Sequence, residues 1–329
     1  MIEKRSVLIT GIQGFLGRYL YDFLPHQKCC EIFGIDRIPD RLNIEYNHYF
    51  LGELQNQNDI EHIITTFQPS VVFHLAGVAH SENPEVFYNN NFFASYYLLE
   101  EIYQISQKGA FNPLIILLGT AAEYGANANQ PNSEEDELLP ISHYGVSKSL
   151  QTYLAQFYAR LGRLRVIIAR PTNIIGPEQS GNFVVPTFAQ EIVRMERGEK
   201  EPNLEVRNGS SIRDFIDVRD VIRALVLLVD AGKSGEVYNI SSGNSVTIRD
   251  LAEKMCSLSR VPINIHDGEN SVIRGSIHKQ VSDFQKIKNT AGWKPEIPLM
   301  QSLEDILNEF RKKWQSDKVT EAQRNELKS

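Results

Sequence analysis

Short apolar runs alternate with helical patterns through the first half of the chain. The runs are Ser6–Thr10, Glu31–Ile35, Ser70–Leu75, Pro113–Leu118 and Leu164–Ala169. Between them the pattern predicts helices over Phe15–Leu24, Asn58–Phe67, Pro84–Ile105 and His143–Leu161. Strands that are apolar throughout must be covered on both faces, and strands separated by helices run parallel. Right-handed crossovers then give an α/β fold with a doubly wound parallel sheet.

After about Gly176 the rhythm changes, with segments broken by GPEQSGN, RGEKEPN and RNGSS. A further α/β stretch is expected over Arg213–Ile240, and helices near Ile248–Leu258 and Leu303–Trp314. This divides the chain into a first domain over 1–175, a smaller lobe over 176–316 interleaved with the sheet, and a polar tail over 317–329 expected to fray.

Composition changes this picture in two places. A chain of 329 residues, 42% of them hydrophobic, can bury a core without disulfide or metal support. A formal net charge of −7 argues against non-specific binding to nucleic acid or an anionic membrane, but leaves room for a small anion held by local arginines and helix N-termini. The three cysteines, Cys29, Cys30 and Cys256, have no metal-type spacing and suggest a reducing compartment. No signal-peptide pattern or membrane-length apolar run is present, so a cytoplasmic location is expected, with no metal.

The first strand runs into VLITGIQGFLGRYL, which places Gly11, Gly14 and Gly17 between a strand and a helix. Glycines there permit a tight turn and a close backbone approach, so that a pyrophosphate can rest on the helix N-terminus beside Phe15 and Leu16. The second strand ends at Asp36, 19 residues after Gly17, where a carboxylate can accept ribose hydroxyls. Together these point to a Rossmann-type dinucleotide site. Asp36 favours NAD, because a 2′-phosphate would meet a carboxylate; Arg37 beside it can offset that repulsion and admit NADP. Glu53, followed by Leu54, is a candidate for the adenine side, with a plain surface glutamate as the alternative.

Tyr144 and Lys148 stand four apart in HYGVSKS, on one face of a helix. Proton transfer by a tyrosine needs its pKa brought down from about 10, which a neighbouring ammonium favours. Thr120 lies where a buried strand runs out, the end at which open α/β sheets place ligands, and its hydroxyl can orient a substrate oxygen.

These residues together resemble the extended short-chain dehydrogenases, the NAD-dependent epimerase/dehydratase family. The resemblance extends through VFHLAG, the Asn91 position of PEVFYNNN, RPTNIIGP, RDFIDVRD, GEVYNISSG and NTAGWKP. It implies a Thr120–Tyr144–Lys148 triad, hydride transfer at a sugar carbon of a sugar nucleotide, and cofactor contacts from Leu75, Ala76, Gly77 and Asn91. It also implies a homodimer built on the helices near Pro84–Ile105 and His143–Leu161. The second half is most similar to the GDP-4-keto-6-deoxymannose reductase branch. Sugar-nucleotide 4,6-dehydratases carry an acid two residues after the threonine. Ala122 stands there, after Ala121, and Glu123 is expected to point to the other face, so elimination is not expected.

On the substrate side, the resemblance makes Arg213 and Arg274 candidates for a diphosphate. Arg213 could instead pair with Asp214 or Asp217, and Gly275 follows Arg274 where a proline is usual. Asn173 is a candidate for the diphosphate or sugar, and Asn182 and Phe183 for the nucleotide pocket. His74 is expected to pack near the cofactor, His80 and His143 have no partners at metal spacing, and Tyr96 and Tyr97 read as packing residues. Reductase and 4-epimerase readings share this machinery, and the rival from another class is a non-catalytic dinucleotide sensor or scaffold.

Overall fold

The computed structural model describes residues 5–24, 30–44, 48–109, 111–268 and 277–326, with side chains described as far as Trp314. The first half runs β1 (Arg5–Thr10), α1 (Phe15–Phe23), β2 (Cys30–Asp36), β3 (Tyr49–Leu51), α2 (Gln57–Phe67), β4 (Val71–His74), α3 (Pro84–Phe87), α4 (Ala94–Gln107), β5 (Leu114–Leu118), α5 (His143–Arg160), β6 (Arg165–Pro171) and β7 (Asn173–Ile175). The second half runs α6 (Val184–Glu196), β8 (Asn203–Val206), β9 (Ile212–Asp217), α7 (Val218–Ala231), β10 (Val237–Ile240), β11 (Ser245–Thr247), α8 (Ile248–Ser257), β12 (Asn264–Asp267), β13 (Lys279–Gln280), α9 (Gln285–Ala291) and α10 (Leu299–Glu326).

A seven-stranded parallel sheet has the order β10-β6-β5-β4-β1-β2-β3. Alternate residues of each strand enter opposite cores, as a two-residue period requires. Val7 and Ile9 pack with Leu225 and Leu228 of α7 and with Trp293. Leu8 faces the other way, toward Ile60 and Ile64 of α2 and Leu98 and Ile102 of α4. A third core, around Phe188, Ile192, Leu251 and Leu303, belongs to the smaller lobe. There β9 pairs with β7, β11 and β13, and β8 pairs with β12. Although both follow residue 175, α7 covers one face of the seven-stranded sheet and β10 forms its edge.

Several elements differ from the sequence reading. The helix expected over Pro84–Ile105 is interrupted by a π segment, Tyr88–Phe93, between α3 and α4. The wider turn buries Asn91 completely, and insertions of this kind often occur at functional sites. The helix α6 was not expected; Pro186 sits in its first turn, where a missing N–H breaks no bond. The backbone of α10 runs on to Glu326, past the expected end at Trp314 and through the segment expected to fray. That stretch has residues of good helix propensity, such as Glu, Ala, Gln and Arg, but no apolar face to announce it.

Candidate active site

At the carboxyl ends of the sheet strands the chain leaves β1 through Gly11, whose φ of +71° suits glycine. A Cβ at Gly11 would stand 2.8 Å from Ala76 Cα, and one at Gly17 would stand 2.2 Å from the Gly11 carbonyl oxygen. The glycines therefore let β1, the loop after β4 and α1 meet at backbone distance. No side chain caps α1, and its first turn holds no acid, so its partial positive charge faces the cleft uncompensated.

Two adjoining cavities line this cleft. The first, about 260 Å³, is walled by Gly11, Gly14, Asp36, Arg37, Glu53, Leu54, Leu75, Ala76 and Gly77. The second, about 520 Å³, shares Gly11, Gly14, Leu75 and Gly77 and extends past Phe15, Leu16 and Gly17 to Thr120, Tyr144 and Lys148. Asp36 accepts the backbone N–H of Gln13 at 3.0 Å and of Arg37 at 2.8 Å, leaving lone pairs for ribose hydroxyls. The Arg37 guanidinium donates to Asn90 at 3.0 Å beside the same cavity. The glycine cradle, the bare helix end and Asp36 fit a dinucleotide: the glycine turn would hold its pyrophosphate and Asp36 its adenosine ribose. Asn91 stands behind this wall: its amide bonds Val78 and the Ser147 hydroxyl, so it braces the loop after β4 against α5.

Helix α5, which carries Tyr144 and Lys148, is capped by Ser142, whose hydroxyl accepts the Gly145 N–H at 3.1 Å. A Cβ at Gly145 would lie 2.8 Å from the Ala122 carbonyl oxygen, so glycine there seats α5 directly on the turn Ala121–Glu123. Thr120 caps that turn, and its side chain also hydrogen-bonds Tyr144. Burial pushes the Tyr144 phenol up to about 12; the Thr120 bond opposes this and the Glu123 carboxylate adds to it. Lys148 does not bring the phenol down as the sequence suggested, because burial outweighs its neighbours, and at neutral pH Tyr144 keeps its proton. Burial brings Lys148 down to about 8, opposed by Glu123, and its ammonium donates to the Leu118 carbonyl. His74 is fully buried between Thr10 at 2.8 Å and Ser95 at 2.7 Å; burial, then Lys148, lowers it to about 3. It packs as a neutral ring, as the sequence suggested.

Glu123 does turn away from the cavity, but by another route than expected. The chain after Thr120 is a helical turn rather than a strand end, and it directs the carboxylate onto Arg170 at 2.8 Å. Ala121 and Ala122 line the second cavity, which leaves no carboxylate at either position.

Asn173, Asn182 and Phe183 line the second cavity, and the Asn173 amide donates to the Asp214 carbonyl at 2.8 Å. Arg213 pairs with neither neighbouring aspartate. Its guanidinium donates to the carbonyls of Ile212, Ile277 and His278, and burial lowers its pKa. Asp214 instead binds Ser241 and Ser242, and Asp217 binds Arg219 and Ser302. Arg213 does not wall either cavity, and Arg274 lies outside the described residues. Sequence reasoning missed Gln13, Gln179, Ser180 and Gln280, and gave His80 no place in the site. His80, Gln179, Ser180 and Gln280 line the second cavity, while Gln13 lines the first and binds Asp36 and Asp40. GPEQSGN drew notice only as a break in pattern, and Gln280, on a two-residue strand, carries no local signal. Among the described residues no three His, Cys, Asp or Glu side chains gather as a metal site would require.

The family model for the NAD dependent epimerase/dehydratase family matches residues 7–241. The chain belongs to that family. It is 31% identical over 312 residues to the GDP-6-deoxy-D-mannose reductase of Pseudomonas aeruginosa, covering 93% of this chain and 97% of that one. A solved structure of RMD from Pseudomonas aeruginosa complexed with NADPH superposes with a TM-score of 0.81 at 27% identity, covering 94% and 98% of the two chains. The UDP-glucose 4-epimerase of Thermotoga maritima, solved with UDP-glucose, gives 0.81 at 26% identity, covering 94% and 99%. Like its relatives, this member of the family is built as a nicotinamide-dependent sugar-nucleotide enzyme of the reductase and epimerase kind.

Proposed function

We propose that the chain is a 4-keto reductase of a GDP-linked 6-deoxyhexose. The observation that carries this reading is the placing of Thr120, Tyr144 and Lys148 together at the wall of a cavity that the glycine cradle also lines. A bound nicotinamide supplies the hydride. Thr120 holds the sugar oxygen, Tyr144 gives it a proton as the carbonyl becomes a hydroxyl, and Lys148 supports the phenolate left behind. Ala121 and Ala122 offer no base for removing a proton from carbon 5, so the chemistry stops at hydride transfer. The likeness to the Pseudomonas reductase over nearly the full chain supports the GDP-sugar.

Asp36 favours NADH as donor, and Arg37 leaves NADPH accommodated. The likeness to a UDP-glucose 4-epimerase supports a second reading, in which NAD stays bound and returns the hydride to the other face. Consumption of added NADH or NADPH by a GDP-4-keto-6-deoxyhexose supports the reductase; stoichiometric NAD surviving gel filtration, with no net consumption, supports the epimerase. We further propose a homodimer through the Pro84–Gln107 segment and α5, where exposed Phe93 of the π segment, Leu150, Tyr153 and Phe157 of α5 and Leu161 at its end offer an apolar surface. Sedimentation of a Tyr153→Glu/Phe157→Glu variant as a monomer is the expected result. A cytoplasmic location belongs to the same reading; among the described residues no helix is long and apolar enough to cross a membrane.

A further inference from the structure

Glu123 is fully buried beneath the active-site turn. Its Oε1 accepts the Thr120 backbone N–H at 2.8 Å. Its Oε2 accepts the Thr152 hydroxyl and an Arg170 N–H, each at 2.8 Å. Thr152 lies one helical turn beyond Lys148 on α5, and Arg170 is near the end of β6. A single carboxylate thus ties together the turn that carries Thr120, the helix that carries Tyr144 and Lys148, and a central strand. The space for it depends on Gly119, where a Cβ would stand 2.8 Å from Oε1. Arg170 continues the network: it lies over the Tyr124 ring at 4.6 Å and donates to its hydroxyl, which donates to Asn239 of β10.

Apolar side chains of similar volume commonly hold a core as well as a buried ion pair does, so stability alone is a weak reason for this one. We propose that Glu123 is a positioning residue of the hydride-transfer site, fixing the Thr120 hydroxyl against Tyr144 and placing one negative charge beneath the tyrosine. This rests on the hydride-transfer reading above.

Thr120 and Glu123 from the turn act on Tyr144, the Phe87 ring from α3 packs beside it, and Lys148 from its own helix and His80 line the same cavity. His74, from β4, is held neutral by burial and by the Lys148 charge. Arg170 and Thr152 face Glu123 itself. The carboxylate adds to burial in favouring the proton on Tyr144, and opposes burial in favouring the charge on Lys148. Without it both groups lose their protons at lower pH.

Glu123→Gln keeps the shape and an oxygen for the Thr120 N–H while removing the charge. Phenolate absorbance is titrated with NAD bound, and the same titration of the matching Tyr144→Phe protein is subtracted, which isolates Tyr144 without any sugar substrate. The expected result is a Tyr144 midpoint lower by about half a pH unit or more. In turnover, kcat falls about tenfold, KM stays within about twofold, and the alkaline limb of the kcat profile moves down with the midpoint. Thr152→Val cuts one arm of the brace and leaves the charge, so kcat falls while the midpoint stays. An unmoved midpoint in Glu123→Gln, or a Thr152→Val protein with wild-type kcat, overturns the proposal. If the wild-type protein turns over no sugar nucleotide, the functional reading fails by itself, and the phenolate titration still decides the role of Glu123.

Discussion

Gly17→Ala tests the cofactor cradle by the addition of one methyl group. Gly17 is not at a positive φ, so the alanine meets no backbone strain and the effect is steric. Its Cβ would stand 2.2 Å from the Gly11 carbonyl oxygen, 2.6 Å from Ile12 Cα and 2.7 Å from the Ile12 oxygen, all backbone atoms. Restoring even 3.0 Å to the first contact requires 3.0 − 2.2 = 0.8 Å of separation between α1 and the glycine turn. Overpacking of this kind costs about 1–3 kcal/mol, and Leu20, fully buried on α1, resists the movement from the other side. The helix N-terminus withdraws from the phosphate position, where each charge-assisted hydrogen bond contributes about 1.5–3 kcal/mol. Losing roughly one such bond weakens NADH binding about 10- to 100-fold. Calorimetric titration with NADH measures this, with Gly109→Ala, whose Cβ would have nothing within 4 Å, as the control. A Gly17→Ala protein that binds NADH within twofold of wild type refutes the assignment of this turn to the pyrophosphate.

Lys148→Met removes a buried cation whose pKa is down at about 8, so the variant is expected to be inactive yet more stable at pH 7 by about 1–3 kcal/mol. Thermal unfolding of the free proteins checks it; a lower Tm in the variant contradicts the burial argument. His74, ordinarily near 6.5, is lowered to about 3, so the unfolded chain binds the extra proton between those values, and stability is lost as pH falls below 6.5. Denaturant melts from pH 7 to 4 are expected to show that loss and to show less of it in His74→Gln; parallel profiles contradict it. Arg37→Ser is expected to weaken NADPH about tenfold and leave NADH within twofold, since one charge-assisted contact to a 2′-phosphate goes. Equal losses for the two cofactors, read by fluorescence titration, overturn that role for Arg37.

The sheet was legible because its strands are apolar on both faces and its helices are separated by glycine and polar turns. The same holds for Tyr144 and Lys148, whose four-residue spacing is a helical fact visible in the sequence. The π segment was not legible, because one extra residue in a turn leaves the apolar period of Pro84–Gln107 nearly intact while it buries Asn91. Glu123 was read as a side chain on a strand end; only the turn capped by Thr120 shows that it reaches Arg170. Arg213 looked ready for an aspartate, yet strand alternation sends Asp214 toward the serines after β10 and the guanidinium toward the carbonyls before β13. Gln179, after β7, and Gln280, on β13, reach the cavity from distant parts of the chain, a juxtaposition made by topology rather than by local pattern.

The central claim is proton delivery by Tyr144 during hydride transfer to a GDP-4-keto-6-deoxyhexose. Its most direct test is single-turnover oxidation of bound NADH or NADPH by that sugar, followed in the wild-type and Tyr144→Phe proteins. The account predicts one cofactor oxidised per sugar reduced, and a Tyr144→Phe rate about 10²- to 10⁴-fold lower with cofactor affinity unchanged. A Tyr144→Phe protein that reduces the sugar at the wild-type rate would contradict it.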